Sequence, residues 1–252
     1  LPSAFFLLFL FMPSSISTQN ESSLHRELKL IYTGRGGQTE VETAGFVVDG
    51  VNADGACIEV QGRNFGGAFM GKVAKLAALG NVKVVYPVII AKYLEVFDEE
   101  GTQQYRRKSG RRGSVWDVFF PLIYAPEMPL VPGLEIELAL VDVAERRVRD
   151  GKGSWRRRGV SIRDRKLLAL HESVTLKRPA DYLRFVPFAK NLEFTSGDLA
   201  AQAGIRVELA RKTLYVLARL GIVEKTGRKG NRLVYRLRVS SGTKKWKKPP
   251  KQ

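Results

Sequence analysis

From residue 21 onward, apolar positions repeat first at helical and then at strand spacing. In residues 21–32 Leu24, Leu28 and Ile31 share a helical face, with Glu21 one turn ahead of Leu24. Gly34, Gly36 and Gly37 end that helix. Residues 39–43, 45–51 and 56–61 then read as strands, and Asp54-Gly55 supplies hairpin-turn chemistry between the last two. Residues 65–79 predict a helix with Phe69, Val73, Leu76 and Ala77 on one face and Lys72 and Lys75 beside them. Residues 82–88 are nearly continuously apolar, as suits a strand in the middle of a sheet. Residues 116–124 and 134–143 read as core elements, the second strand-like, and residues 162–176 read as a helix.

The C-terminal pattern is different. Thr195-Ser196-Gly197-Asp198 opens a short helix that Gly204 stops. A second helix follows with Val207, Ala210, Leu214 and Leu217 at core spacing, leaving Arg211, Lys212, Tyr215 and Arg219 off that stripe. Residues 222–225 and 232–238 then form a hairpin around residues 227–231. Helix, glycine turn, helix and hairpin predict a winged helix. The predicted organisation is an N-terminal extension (1–19), an α/β core (20–130), a basic connector (131–180), the winged helix (181–240) and a basic disordered tail (241–252). The apolar run at residues 4–12 is too short to span a bilayer, and no basic residue precedes it as in a signal peptide. The reading favours translation from Met12 and sets the segment aside from the fold.

Charge narrows the partner. Forty-two Lys and Arg against 25 Asp and Glu leave a formal charge of +17. The cations occupy several loops rather than one amphipathic helix, which favours nucleic acid over a membrane surface. The loop at 105–113 carries five cations and no acid, among them Arg106 and Arg107. Trp155-Arg156-Arg157-Arg158 adds an aromatic that can stack on a base. In the C-terminal part, Arg211, Lys212 and Tyr215 would face the major groove, and Arg228 and Lys229 the backbone or minor groove. The single cysteine, Cys57, excludes an internal disulfide, and two histidines exclude a cysteine–histidine zinc site. That usage fits a reducing, cytoplasmic setting.

The candidate chemistry is acidic. Asp49 closes one apolar run, and Glu59 and Gln61 lie on the same side of the next. Two carboxylates at the ends of neighbouring strands can hold one hard divalent cation through oxygen. Beside a strongly basic surface, that suggests metal-assisted chemistry on a phosphodiester. An acid flanked by apolar strand residues also needs a partner on energetic grounds.

The chain resembles the PD-(D/E)xK nuclease superfamily, whose core orders a helix, antiparallel strands carrying Asp and then Glu-x-Lys, a helix and a further strand. It is also similar to an uncharacterised bacterial group that joins such a core to a C-terminal winged helix. The matching stretches are Ser23-Leu24-His25, Gly45-Phe46-Val47-Val48-Asp49, Ile58-Glu59-Val60-Gln61, Arg63-Asn64-Phe65, Tyr86-Pro87 and Gly153-Ser154-Trp155-Arg156-Arg157-Arg158-Gly159. The resemblance implies a restriction-endonuclease-like fold and Mg²⁺ (or Mn²⁺) held by Asp49 and Glu59. Glu21 would be a third acid, preferred over Glu27, with Glu40 in reserve. It further implies hydrolysis of double-stranded DNA and leaves room for a homodimer. Gln61 stands where the superfamily usually has lysine, and Lys75 on the following helix could supply the missing charge. The same departure keeps a second expectation open, a non-catalytic DNA-binding protein with a degenerate core.

Overall fold

The computed structural model describes residues 21–238; the expected N-terminal extension and basic tail lie outside them. The chain is mixed α/β, with a central mixed sheet flanked by helices. Helix α1 (Ser23–Thr33) opens it. Ser22 caps its first turn by accepting from the His25 amide at 3.3 Å, and Gly34 closes it at φ +68°. Strands β1 (Gln38–Thr43), β2 (Phe46–Val51) and β3 (Cys57–Val60) follow, then helix α2 (Ala68–Ala77) and strand β4 (Val82–Phe97). Strand β5 (Gln103–Lys108) folds back on β4. Helix α3 (Phe119–Leu122) leads through a turn to β6 (Leu134–Arg149) and β7 (Val160–Leu176). The sheet order is β1-β2-β3-β4-β6-β7, with β5 pairing the far half of β4. β3, β4 and β6 run parallel, and the outer pairs are antiparallel.

Alternation along the central strands divides the core between the two faces of the sheet. Val85 of β4 and Ala139, Val141 and Val143 of β6 meet Leu24 and Leu28 of α1. Val82, Val84 and Val88, with Ile136 and Leu138, face Val73 and Leu76 of α2. The second core continues without a break through Phe119, Leu122, Tyr182 and Phe185 into the C-terminal segment. That segment contains β8 (Phe194–Thr195), α4 (Ser196–Ala203), α5 (Val207–Leu220), β9 (Val223–Lys229) and β10 (Arg232–Leu237), in a small sheet ordered β8-β10-β9. The start of α4 is a reciprocal cap: Asp198 accepts from the Thr195 amide at 2.8 Å, and the Thr195 hydroxyl accepts from the Asp198 amide at 3.3 Å.

Two expectations are corrected here. Residues 162–176 are strand, not helix, and the stretch assigned to a connector (131–180) contains the two long strands that complete the sheet. The β6–β7 ladder shifts register at Ala139/Val141, Asp142/Val143 and Arg146/Arg147. Each irregularity breaks the two-residue alternation, so the apolar spacing no longer looks like a strand. The unpaired edge of β6 then decides the conformation by offering a ladder to a segment with Val160, Ile162, Val174 and Thr175. A further detail differs in α5, where Val207 is exposed while Leu209, Ala210, Thr213, Leu214, Val216, Leu217 and Leu220 are buried.

Gly50 sets how closely α1 lies against β2. A Cβ at this position would stand 2.1 Å from Oγ1 of Thr33, at the end of α1. The approach brings the helix down beside Asp49.

Candidate active site

The site forms where two strands part. β2 and β3 pair through Gly50↔Ile58 and Val51↔Cys57, and the ladder stops there. The next amide on β3, Val60 N–H, donates instead to Oδ2 of Asp49 at 2.7 Å. On its other side β2 is equally irregular. The β1–β2 ladder passes over the Glu40/Asp49 position, and Glu40 takes a left-handed backbone at φ +55°. Such a conformation costs a non-glycine residue of order 1–3 kcal/mol, and such strain clusters at functional sites. The Glu40 carboxylate is tied to the Lys29 ammonium.

The opening leads into a cleft of about 800 Å³. Glu21, His25, Glu40, Asp49, Glu59 and Gln61 are among the residues that line it. Glu59 is 4% exposed and faces the Lys72 ammonium at 2.6 Å. Lys72 also donates to the Val47 carbonyl at 2.7 Å, so it spans β2 and β3 from α2. Burial pushes the Glu59 carboxyl up to about 7; the charge of Asp49 adds to this, and Lys72 opposes it without prevailing. Asp49 goes the other way. Burial alone would raise its pKa, but the hydrogen bond and charge of His25, with the Val60 amide, hold it below the ordinary value. Nε2 of His25 lies 3.2 Å from Asp49 and 3.5 Å from Glu21. Burial disfavours the imidazolium, yet Asp49 and then Glu21 outweigh that and raise the His25 pKa. Two carboxylates with neighbouring environments thus have proton affinities moved in opposite directions.

The donor set suits a hard divalent ion. Among the described residues there is no group of three or more His, Cys, Asp or Glu arranged to hold a metal. Magnesium, however, is commonly held by one or two carboxylates and completes its shell with water and substrate oxygens. Oε1 of Glu59 and Oε1 of Glu21 are buried without a well-formed hydrogen bond; each faces a lysine ammonium, Lys72 at 2.6 Å and Lys29 at 2.9 Å. A bound ion would draw on these same carboxylates, whose buried oxygens are met here by the two ammonium groups.

The cleft therefore gathers Asp49, Glu59, Gln61 and Glu21 and leaves out Lys75. The Lys75 ammonium lies 5.3 Å from the centre of the Phe46 ring, and Lys72 one turn earlier stands at the acids. Helical spacing marks the difference: Lys72 has Phe69 and Leu76 as its i−3 and i+4 neighbours, whereas Lys75 has exposed Leu79 at i+4. Glu21 precedes α1 rather than lying on its face, and it is drawn inward by Lys29. His25, one of the chain's two histidines, joins two of the acids. Gln61 accepts from the Arg63 amide at 3.1 Å.

The expected nucleic-acid contacts lie on other surfaces. Arg106 stacks over Tyr93 and pairs with Glu95 at 3.1 Å; Arg107 is exposed beside it. Arg156 and Arg157 are exposed in the β6–β7 connection next to Trp155, which is 83% exposed. On α5, Arg211 and Tyr215 form an exposed stripe with Glu208. Lys212 is half-buried against Glu208 and the Phe120 ring, and Arg219 is tied to Glu127. Arg228 and Lys229 are exposed at the tip of the β9–β10 hairpin. No helix among the described residues is long and apolar enough to cross a membrane.

Comparison with known proteins adds family-level relationships. A family model described as "Domain of unknown function (DUF8091)" matches residues 22–177, from the cap of α1 to the end of β7. An uncharacterized protein of Treponema pallidum (strain Nichols) is 30% identical over 223 residues, covering 88% of this chain and 87% of that protein. No solved structure matches the chain.

Proposed function

The chain belongs to the family described as a domain of unknown function (DUF8091), and from the chemistry of its cleft we propose that it is a divalent-metal-dependent deoxyribonuclease of the PD-(D/E)xK kind, with a winged helix at its C-terminal end. The observation that carries this reading is the pair Asp49 and Glu59 at the point where β2 leaves β3, each in contact with a basic side chain from a flanking helix. The order α1, β1-β2-β3, α2, β4 around that pair supports it. The succession β8, α4, α5, β9, β10, with sheet order β8-β10-β9, supports the winged helix.

Asp49 and Glu59 would hold Mg²⁺ or Mn²⁺, with Glu21 as the third acid; when bound, the ion lowers the pKa of an attacking water and polarises the scissile phosphate. The protein's own side chains do the rest. Lys72 brings to Glu59 from α2 the positive charge that Gln61 lacks, so charge developing on the phosphate would meet a nearby ammonium. Gln61 contributes hydrogen bonding without charge. His25 holds Glu21 and Asp49 in one orientation. Double-stranded DNA would be engaged by Arg211 and Tyr215 of α5, by Arg228 and Lys229 of the hairpin, by Arg106 and Arg107, which lie on strand β5 rather than in the expected loop, and by Arg156 and Arg157 of the β6–β7 connection. The single cysteine fits action in the cytoplasm.

A non-catalytic DNA-binding protein with a degenerate core is the second reading, favoured by Gln61 at the lysine position. Cleavage of duplex and single-stranded DNA with Mg²⁺ or Mn²⁺ separates the two. The parent should cut, and Asp49→Ala and Glu59→Ala should not. No cutting by the parent on any substrate, with DNA binding intact, leaves the second reading standing.

A further inference from the structure

The lining of the cleft also carries cations to which the nuclease reading gives no task. Among them are Lys92 of β4, Arg111 of the loop after β5 and Arg165 of β7. Behind them Glu145 of β6 is 1% exposed. It accepts from Nε of Arg147 at 2.8 Å and Nε of Arg165 at 2.9 Å, and lies 3.6 Å from Nζ of Lys92. One buried carboxylate therefore orders three cations, which leaves the group with two positive charges in surplus. A separation of 3.6 Å is too long for a good hydrogen bond, so the Lys92 ammonium is the least satisfied of the three. Burial pushes its pKa down, with Arg165 and Arg147 adding to the effect and Glu145 only partly offsetting it.

Among the described residues, none of the acids around Asp49 pairs with these cations. Glu21 and Glu40 share Lys29, Glu59 faces Lys72, and Asp49 faces His25. Asp117, the acid near Arg111, accepts from the Ser114 amide at 3.3 Å in a local cap. Two partly buried cations held in place by one buried acid, with an exposed arginine beside them on the same cleft, are arranged to receive an anion. Guanidinium and ammonium groups together match the several oxygens of a phosphate.

We propose that Lys92 and Arg165, ordered from behind by Glu145, form together with Arg111 a phosphate seat that holds a second phosphate of the strand whose scissile bond lies at Asp49 and Glu59. The identity of that strand rests on the nuclease reading; the anion seat rests on the cations gathered around Glu145 in the lining of the cleft. The seated group is either a backbone diester beside the scissile one or a terminal 5′-phosphate.

The test uses the full-length protein in EDTA, where cleavage does not interfere. The probes are single-stranded oligonucleotides labelled at the 3′ end and carrying a 5′-phosphate or a 5′-hydroxyl, and affinity is read by fluorescence anisotropy across a salt series. Lys92→Gln, Arg111→Gln and Arg165→Gln should each weaken binding by roughly five- to tenfold and lower the salt slope by about one. Lys83→Gln, in the separate ion group with Glu135 and Lys177, makes the same charge change away from this cleft and should leave binding unaltered. A loss confined to the 5′-phosphate probe assigns a terminal seat, and an equal loss with both probes assigns a diester. Parent-like binding by the cleft variants, or an equal loss in Lys83→Gln, overturns the proposal. If Arg165→Gln fails to fold, Lys92→Gln and the exposed Arg111→Gln decide the matter. Cleavage by the parent with Mg²⁺ is scored separately: no cleavage with the seat intact removes the nuclease reading, and cleavage with no effect of the three substitutions removes the seat.

Discussion

Replacing Glu59 by glutamine preserves the size of the side chain and removes its charge, which isolates the cost of keeping a carboxylate in this opening. In the unfolded chain the group titrates at its ordinary 4.5, and in the fold burial raises it to about 7 despite Lys72. Between those values the folded state holds the proton more tightly than the unfolded one, so stability falls as pH rises through the window. At about 1.4 kcal/mol for each tenfold in proton affinity, the loss from Glu59 is about 3 kcal/mol by about pH 8. Side-chain exposure is only 6%, so solvent screening removes little of it. His25, raised above 6.5, works in the same direction: its contribution is present below that value and lost as pH rises through the folded pKa. Asp49, lowered below 3.8, gives stability that is lost only in more acidic solution. Urea denaturation in EDTA, followed by tryptophan fluorescence from about pH 5 to about pH 8, should show the parent losing stability steeply and Glu59→Gln following a shallower line. Adding Mg²⁺ near pH 8 should recover about 3 kcal/mol in the parent at a hundredfold excess over its Kd, with little effect on the variant. Parallel pH profiles for the two proteins would refute the reasoning.

Other substitutions test other parts of the structure. Lys72→Met should reduce the cleavage rate by about a hundredfold or more, the cost of removing a fixed charge from a developing anion, while Lys75→Met cuts at the parental rate; the reverse ranking in a single-turnover assay would place the working lysine at position 75. Gly50→Ala should destabilise the fold by about 1–3 kcal/mol, because its Cβ would meet Oγ1 of Thr33, and Gly50→Ala/Thr33→Ala should recover part of that in thermal melts. Trp155→Ala should leave the melting temperature unchanged, since the ring is 83% exposed, and should weaken single-stranded DNA binding by about tenfold if the ring stacks on a base. Arg211→Ala should lower duplex affinity and the salt slope in filter binding; unchanged binding would count against α5 as the reading helix.

Helix α1, the hairpin strands β1–β3, helix α2 and the start of β4 were legible because their apolar positions keep one period from end to end. The local signals at the C-terminal end were equally direct: a reciprocal cap at Thr195 and Asp198, a left-handed glycine at 204, and a hairpin turn. Residues 160–176 were not legible in this way. Their register shifts scramble the two-residue alternation, and strand conformation is decided by the long partner edge of β6. The same limit applied at the acids. Asp49 and Glu59 stood out as carboxylates inside apolar runs, whose burial demands a partner. Which partner each received depended on how far α1 settles onto Gly50 and on which side of α2 meets the sheet.

The sequence by itself determined the strand–helix order around Asp49 and Glu59, the excess of cations and the two-helix-and-hairpin ending, because each follows from local periodicity, capping or charge count. The tertiary structure alone decided that Lys72 rather than Lys75 stands at Glu59, that His25 bridges Asp49 and Glu21, and that Lys92 and Arg165 converge on Glu145. These groups lie far apart along the chain on separate elements. Only packing of the helices on the sheet sets their separations, and at a few ångströms in a partly buried cleft those separations set the charges the residues carry.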